Sequence, residues 1–421
     1  MNFLKIIIFF FFLSLSIAQD STISFNIKNF FNEDKSWWKE NNNYGKSSEN
    51  YDININWLYK KRNFEIVLNL SNGYSKTQRV SYVRYIGNVN NKINNSFLGE
   101  TYIKFSNNRG YFKLGKYYRD FSSYLNDDLS SGSTLISFNA SPIPKIGYKA
   151  DFKIKKILFE GGFSHGWLDQ GGYYIKAPFL HEKFIYLIKQ YKFSKLGVGL
   201  VHEAVWGGGA PENIKSYPSS IKDFLKVIIS ADGPYEPPHA NALGNHLGIW
   251  DFYYTYHKTN NHYKLYYQHF FEDTSSLRFA NGIDGLWGLE ISNKDKRYNL
   301  LIEYLTSKNS QDDPPYQDDW YYWNYQYRLG WQYQSKIIGN TLFVQKDFKV
   351  REFNEAVVFG IIKNFKNYEL TLKANKIINY QSKLNYLAKF KRTLNENTSV
   401  NLQLFNTFSS SSGAIELQYT F

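Results

Sequence analysis

The sequence predicts an all-β fold, a transmembrane antiparallel β-barrel, on three observations. There is an export signal at the N-terminus, strand-length segments of alternating polarity fill most of the chain, and the last strand ends on an aromatic residue. In the first of these, Lys5 precedes the apolar run IIIFFFFLSLSIA, and Ser16 and Ala18 sit at the spacing a signal peptidase reads. Residues 1–18 are therefore expected to be cleaved, with the mature chain starting at Gln19. A spanning helix needs about 20 apolar residues, whereas this run is shorter and polar QDSTIS follows at once. With Cys 0 there is no cysteine for acylation, no disulfide framework and no thiolate metal site.

The alternation runs from Tyr51 to Phe421. In NYELTLKAN, Tyr368, Leu370 and Leu372 alternate with Glu369, Thr371 and Lys373; in SVNLQLF, Val400, Leu402 and Leu404 alternate with Asn401 and Gln403. A soluble sandwich turns such an apolar face inward, and a membrane barrel turns it to lipid around a polar lumen. Beyond the signal no apolar run is long enough to cross a bilayer as a helix, and the mean hydropathy is -0.48. The chain nonetheless carries Tyr 36, Phe 34 and Trp 10. That excess suits interfacial aromatic girdles or ring faces that stack on sugars. The formal charge of +13 comes from lysines scattered through short turns rather than a patch, so no nucleic-acid partner is expected.

The last strand, GAIELQYTF, puts Ile415, Leu417, Tyr419 and Phe421 on one face and stops on Phe421, which fits a C-terminal signal for the barrel assembly machinery. If Phe421 ends in the periplasm, then TLNEN, NFKN, SKIIG, NKDK and KTNN are periplasmic turns, and the long connections lie outside. The tally from Tyr51 is about nineteen strands, an odd number for a single-chain barrel, so one assignment is in error or residues 20–28 add a strand. The barrel is accordingly assigned to 51–421, and 19–50 is a segment of uncertain fold. Inside the outer stretch near 202–246, PSSIKDFLKVIIS places Ile221, Phe224, Leu225, Ile228 and Ile229 on one helical face behind a Ser220/Asp223 capping box. A helix with such a stripe must bury it, and the expectation is a plug or lid folded into the lumen mouth.

LSSGSTLISFNASPIPKIGY, HEAVWGGGAPE, NHLGIWDFYY, FFEDTSSLRFANGIDGLWGLEI and GWQYQSKIIGN, in that order and spacing, resemble the capsule assembly Wzi family from about residue 100 to about 345. The resemblance implies an outer-membrane barrel of about 18 strands, its lumen occluded by internal segments. It also implies a lectin-like, non-catalytic protein attaching capsular or exopolysaccharide to the cell surface. Family members carry a helical bundle near the N-terminus, and residues 19–50 show no helical stripe for one. A solute-conducting porin and an outer-membrane hydrolase stand as alternatives. No cofactor is expected, and the protein is expected to be a monomer in contact with outer-membrane lipid.

Each motif carries a chemistry and a plainer alternative. In HEAVWGGGAPE the pair His202 and Glu203 suggests a metal, but position 206 of the would-be HExxH is Trp206, so no metal ligand is assigned. Gly207 to Gly209 suit a tight bend, with His202, Glu203 and Trp206 lining the lumen and Trp206 a candidate for sugar contact. Asp251, Glu272, Asp273, Asp284 and Glu290 offer carboxylates for a hydrolase pair, for polysaccharide hydrogen bonds, or simply for fastening inward loops by pairing with Arg278, Arg297 and lysines. No catalytic residue is assigned. Arg278, Asn281 and Trp287 join the candidate saccharide surface, as do Asp318, Asp319, Trp320 and Tyr321 of SQDDPPYQDDWYYWN, where carboxylates and rings adjoin. An aromatic girdle below solvated acids explains that loop equally well.

Overall fold

The computed structural model describes residues 20–32, 36–46, 49–73, 79–83, 87–91, 96–211, 217–233, 242–293, 295, 297–309, 321–343, 354–378, 384–407 and 410–421. Nineteen strands share one antiparallel sheet. Two of them, Ser96–Leu98 and Thr101–Asn107, pair with the same partner Phe64–Gly73, so the closed barrel has eighteen staves. In chain order these are β1 (Ser21–Phe31), β2 (Tyr51–Lys61), β3 (Phe64–Gly73), β4 (Thr101–Asn107), β5 (Gly110–Tyr117) and β6 (Ile143–Ile154). There follow β7 (Ile157–Trp167), β8 (Phe179–Gln190), β9 (Ser194–Trp206), β10 (Asn245–His257), β11 (Asn261–Phe271) and β12 (Gly285–Asn293). The last six are β13 (Tyr298–Thr306), β14 (Glu355–Asn364), β15 (Tyr368–Ile377), β16 (Asn385–Thr393), β17 (Thr398–Thr407) and β18 (Ser410–Thr420). The ring closes where β1 pairs β18, with Phe25 opposite Tyr419 and Ile27 opposite Leu417. The first stave is thus residues 21–31, and the barrel begins thirty residues before the expected start at 51.

Period-2 alternation does in the structure what it implied in the sequence. On β8, Ile185 and Leu187 are exposed on the outer face, while Tyr186 and Ile188 are buried toward the lumen. The turns NFKN, TLNEN, NKDK and KTNN all join staves at one edge, to which the start of β1 and the end of β18 also come. SKIIG does not belong with them. It forms a small hairpin, Gln332–Tyr333 against Lys336–Ile337, whose neighbours Trp331 and Ile338 are fully buried in the main core. Trp331 Nε1 donates to Leu135 O at 2.9 Å, which puts this hairpin inside the barrel; the staves from Tyr51 onward stay odd in number, and it is β1, at the place where residues 20–28 were expected to add a strand, that makes the total even.

Three segments fill the lumen, 36–46, 118–142 and 321–343. Their buried side chains, among them Trp38, Leu129, Leu135 and Trp331, form one cluster with inward strand residues such as Leu180, Ile249, Leu286 and Leu301. They are also hydrogen-bonded to one another: Ser137 N donates to Ile338 O at 2.8 Å, and Tyr44 N to Phe138 O at 2.7 Å. The first segment contains one helical turn, α1 (Trp37–Glu40).

The expected helix forms as α2 (Ile221–Ile228), with the Ser220/Asp223 capping box in both directions. Its place differs from the expectation. Phe224 packs on Trp206, His165 and His181 at ring separations of 5.3, 5.2 and 5.6 Å, and these residues alternate with the lumen-facing ones on β9, β7 and β8. The helix therefore lies against the outer wall and is not a plug. Phe224 and Val227 form its inner face with Ala204, Trp206 and Leu243, and Ile228 is half-buried, whereas Ile221, Leu225 and Ile229 are exposed.

Candidate functional site

The candidate site is the filled lumen together with its outer mouth, and it is built from the parity of the strands. On β10 the odd positions face inward, so Asp251 points into the lumen, where Tyr186 Oη donates to it at 2.6 Å and Ser122 Oγ at 2.7 Å. On β12, Glu290 accepts from the backbone of Leu125 and Asn126, both at 3.0 Å. On β13, Glu303 accepts from Ser130 Oγ at 2.6 Å, Ser131 N at 2.9 Å and Tyr266 Oη at 2.6 Å. Gln268 of β11 takes Thr134 N at 3.0 Å. Four adjacent staves thus hold the single segment 118–142 through its own amides and hydroxyls. A buried carboxylate is costly without hydrogen-bond donors, and here each accepts from hydroxyls or backbone amides. Fastening is what these acids do, through neutral donors rather than the expected arginines.

The glycines of this segment and of HEAVWGGGAPE have specific work. Gly132 sits at φ +105°, where a Cβ would meet Ser137 Cβ at 2.5 Å, so the SSGS turn can pack against the chain that follows it. Gly207 and Gly208, at φ +65° and +80°, turn the chain off the rim of β9.

The mouth is closed by a second set of contacts. Asp284 accepts from Asn309 N at 3.0 Å and Tyr321 Oη at 2.8 Å, and Asn281 Nδ2 donates to Tyr321 Oη at 2.9 Å and to Phe270 O at 2.9 Å. Burial pushes the Asp284 carboxyl up to about 6. These contacts tie the loop that holds α3 (Thr274–Leu277) to the lumen-filling segment 321–343. Asn281, Asp284 and Tyr321 are therefore buried fasteners. Glu272 is half-buried, and Asp273 and Arg278 are exposed on that loop. Asp273 Oδ1 accepts from Ser276 N at 3.1 Å.

The candidate tryptophans separate from the acids. Trp287 stacks on Tyr267 with centroids 3.7 Å apart, both on the outer wall, alongside Trp250, Phe252 and Phe279. This is a girdle of rings at the long-loop end of the staves. Trp206 also faces outward, under α2, as does His202, whose Nε2 lies 2.9 Å from His246 Nδ1. Of the three residues expected to line the lumen at this motif, only Glu203 does, because successive residues of a strand alternate. Asp318, Asp319 and Trp320 lie outside the described residues. The sequence reading missed Glu303 and Gln268, although both stand at inward positions of the alternating segments NLLIEYLT and YYQHFF. Among the described residues no group of three or more metal-ligating side chains comes together.

Comparison with known proteins bears on this arrangement. A family model described as capsule assembly protein Wzi matches residues 31–365. A sequence comparison with curated proteins gives no match. Among solved structures, this chain is similar to Wzi, an outer membrane protein involved in group 1 capsule assembly in Escherichia coli and described as a carbohydrate-binding β-barrel. The TM-score is 0.60 at 11% identity, covering 99% of this chain and 88% of that one. A loop-deletion form of OmpT from Vibrio cholerae gives 0.36 at 8% identity, covering 96% and 98%. A mutant porin of Rh. blastica gives 0.39 at 8% identity, covering 96% and 99%.

Proposed function

The chain belongs to the capsule assembly protein Wzi family, and on that premise we propose that this outer-membrane barrel attaches capsular or extracellular polysaccharide to the cell surface without cleaving it. The observation that carries the reading is the filled lumen. Asp251, Glu290 and Glu303 are occupied in holding segment 118–142, so the barrel interior is built as a support for the mouth rather than as a path for solutes. The same occupation argues against hydrolysis, since these carboxylates are buried and bonded to fixed protein donors rather than open to a sugar.

The surface left for polymer is the outer mouth, where Asp273 and Arg278 are exposed and where the chain continues into Asp318, Asp319 and Trp320. A polymer held there is gripped by repeated weak contacts, so avidity rather than one tight site does the holding. Phe421, whose amide donates to Ile23 O at 2.8 Å across the closure, is the end read by the assembly machinery. The test is a deletion strain. The reading expects surface polymer to be released into the medium at unchanged total yield; retention of polymer on the deletion strain would refute it.

A further inference from the structure

The outer wall beneath α2 is unusual for a surface that faces lipid. His165, His181, Lys183, His202 and His246 all stand on the outward positions of β7 to β10. His181 is fully buried, and His202 and His246 nearly so. Polar groups on the lipid face of a barrel are costly, and the cost is greatest within the hydrocarbon band. Helix α2 covers them. Phe224 packs on His165 and His181, Ser230 Oγ lies 3.4 Å from His202 Nε2, and Lys183 Nζ donates to Ile228 O at the helix C-terminus, where a cation is favoured.

A helix in that position presents its other side away from the protein. There Ile221 is 84%, Leu225 57% and Ile229 74% exposed, three large aliphatic side chains within two turns. Below them on the same staves, Phe163, Ile185, Leu187 and, toward the far end, Leu196 are exposed in the apolar band. The helix face continues that band upward. Lys222 is exposed beside it, and Lys226 reaches Asp232 O at 3.3 Å.

We propose that α2 is seated in the outer leaflet, its Ile221, Leu225 and Ile229 face occupied by lipid acyl chains while Phe224 and Val227 seal the histidine patch of the wall. The occupant follows from continuity: the only apolar surface this face adjoins among the described residues is the lipid-facing band, and a helix lying in the interfacial plane buries its apolar side toward the acyl boundary. The device lets a polar patch exist on the wall, and it ties residues 217–233 to the membrane as well as to the wall.

Because the chain has Cys 0, a single Leu225→Cys variant can be labelled with a polarity-sensitive fluorophore at one site. The mature protein is refolded, checked by heat-modifiable migration, and reconstituted in phosphatidylcholine vesicles with or without brominated acyl chains. The expected result is blue-shifted emission, quenched by bromolipid about twofold or more and little by aqueous iodide. Quenching by iodide and not by bromolipid overturns the proposal. So does a disulfide-linked dimer through position 225, which would make a second copy of the chain the occupant. Ile229→Cys, one turn further along the same face, gives the same readout should the first variant fail to fold.

Discussion

Tyr321 donates its hydroxyl to Asp284 at 2.8 Å while its ring stacks on Phe270 with centroids 4.2 Å apart. One side chain thereby joins the outer loop, the inner wall of β11 and the lumen-filling segment. Tyr321→Phe keeps the stack and removes both hydroxyl bonds, leaving a buried carboxylate short of a donor. Loop docking should weaken by about 1–3 kcal/mol. Hydrogen exchange of the amides in 272–284 should accelerate accordingly while amides of β11 and β12 keep their protection; unchanged exchange in the loop would count against the tie.

The same tie should respond to pH. Burial raises the Asp284 carboxyl to about 6, above its unfolded value of about 4. For an acid the raised value means that between about pH 4 and 6 the docked loop binds a proton that the undocked loop has lost. Docking is therefore strongest at and below about pH 4, falls as pH rises to about 6, and is level above that. Asp284→Asn should flatten this profile in the exchange rates of 272–284, and an equally sloped profile in that variant would place the titration elsewhere.

Glu303→Ala removes the acceptor for Ser130, Ser131 and Tyr266 at once. Segment 118–142 should loosen, and planar bilayers should show steady conductance, where the parent protein is expected to give little. Deleting residues 212–240 should leave conductance at the parent level, because α2 lies outside the wall. A channel opened by that deletion, with none opened by Glu303→Ala, would put the seal in the wrong place.

Removing Phe421 takes away the ring that contacts Tyr419 and the amide bonded to Ile23 at the closure. The level of heat-modifiable barrel in the membrane should drop several-fold, with the unfolded form accumulating before the membrane. Normal levels would show that the terminal aromatic is dispensable for assembly.

Most of the barrel was legible because one signal, alternation at period 2, is local and repeated: Ile185 and Leu187 against Tyr186 and Ile188 can be read without knowing the fold. The capping box at Ser220 and Asp223 was legible for the same reason. What remained hidden depends on which surface an apolar stripe meets. Helix α2 has apolar residues on two sides, and the lipid takes the side that a soluble protein would have to bury. SKIIG imitates a periplasmic turn because the flanking GWQYQ alternates like a strand, although it pairs only with its own hairpin inside the lumen. At the mouth, the mixture of acids and rings in 269–291 separates only when parity is fixed: Asp284 and Asn281 turn in as fasteners, and Trp287 joins the outer girdle.

The central claim is that a sealed barrel holds polysaccharide at its outer mouth, and the most direct measurement is equilibrium binding of purified surface polymer to the immobilised mature protein. The comparison is a variant with Asp318, Asp319 and Trp320 changed to Ala. The account predicts saturable binding by the parent with no change in polymer length, and binding reduced about tenfold or more in a variant that still shows heat-modifiable migration, as loss of several multivalent contacts entails. No binding by the parent, or shortening of the polymer during the measurement, would contradict it.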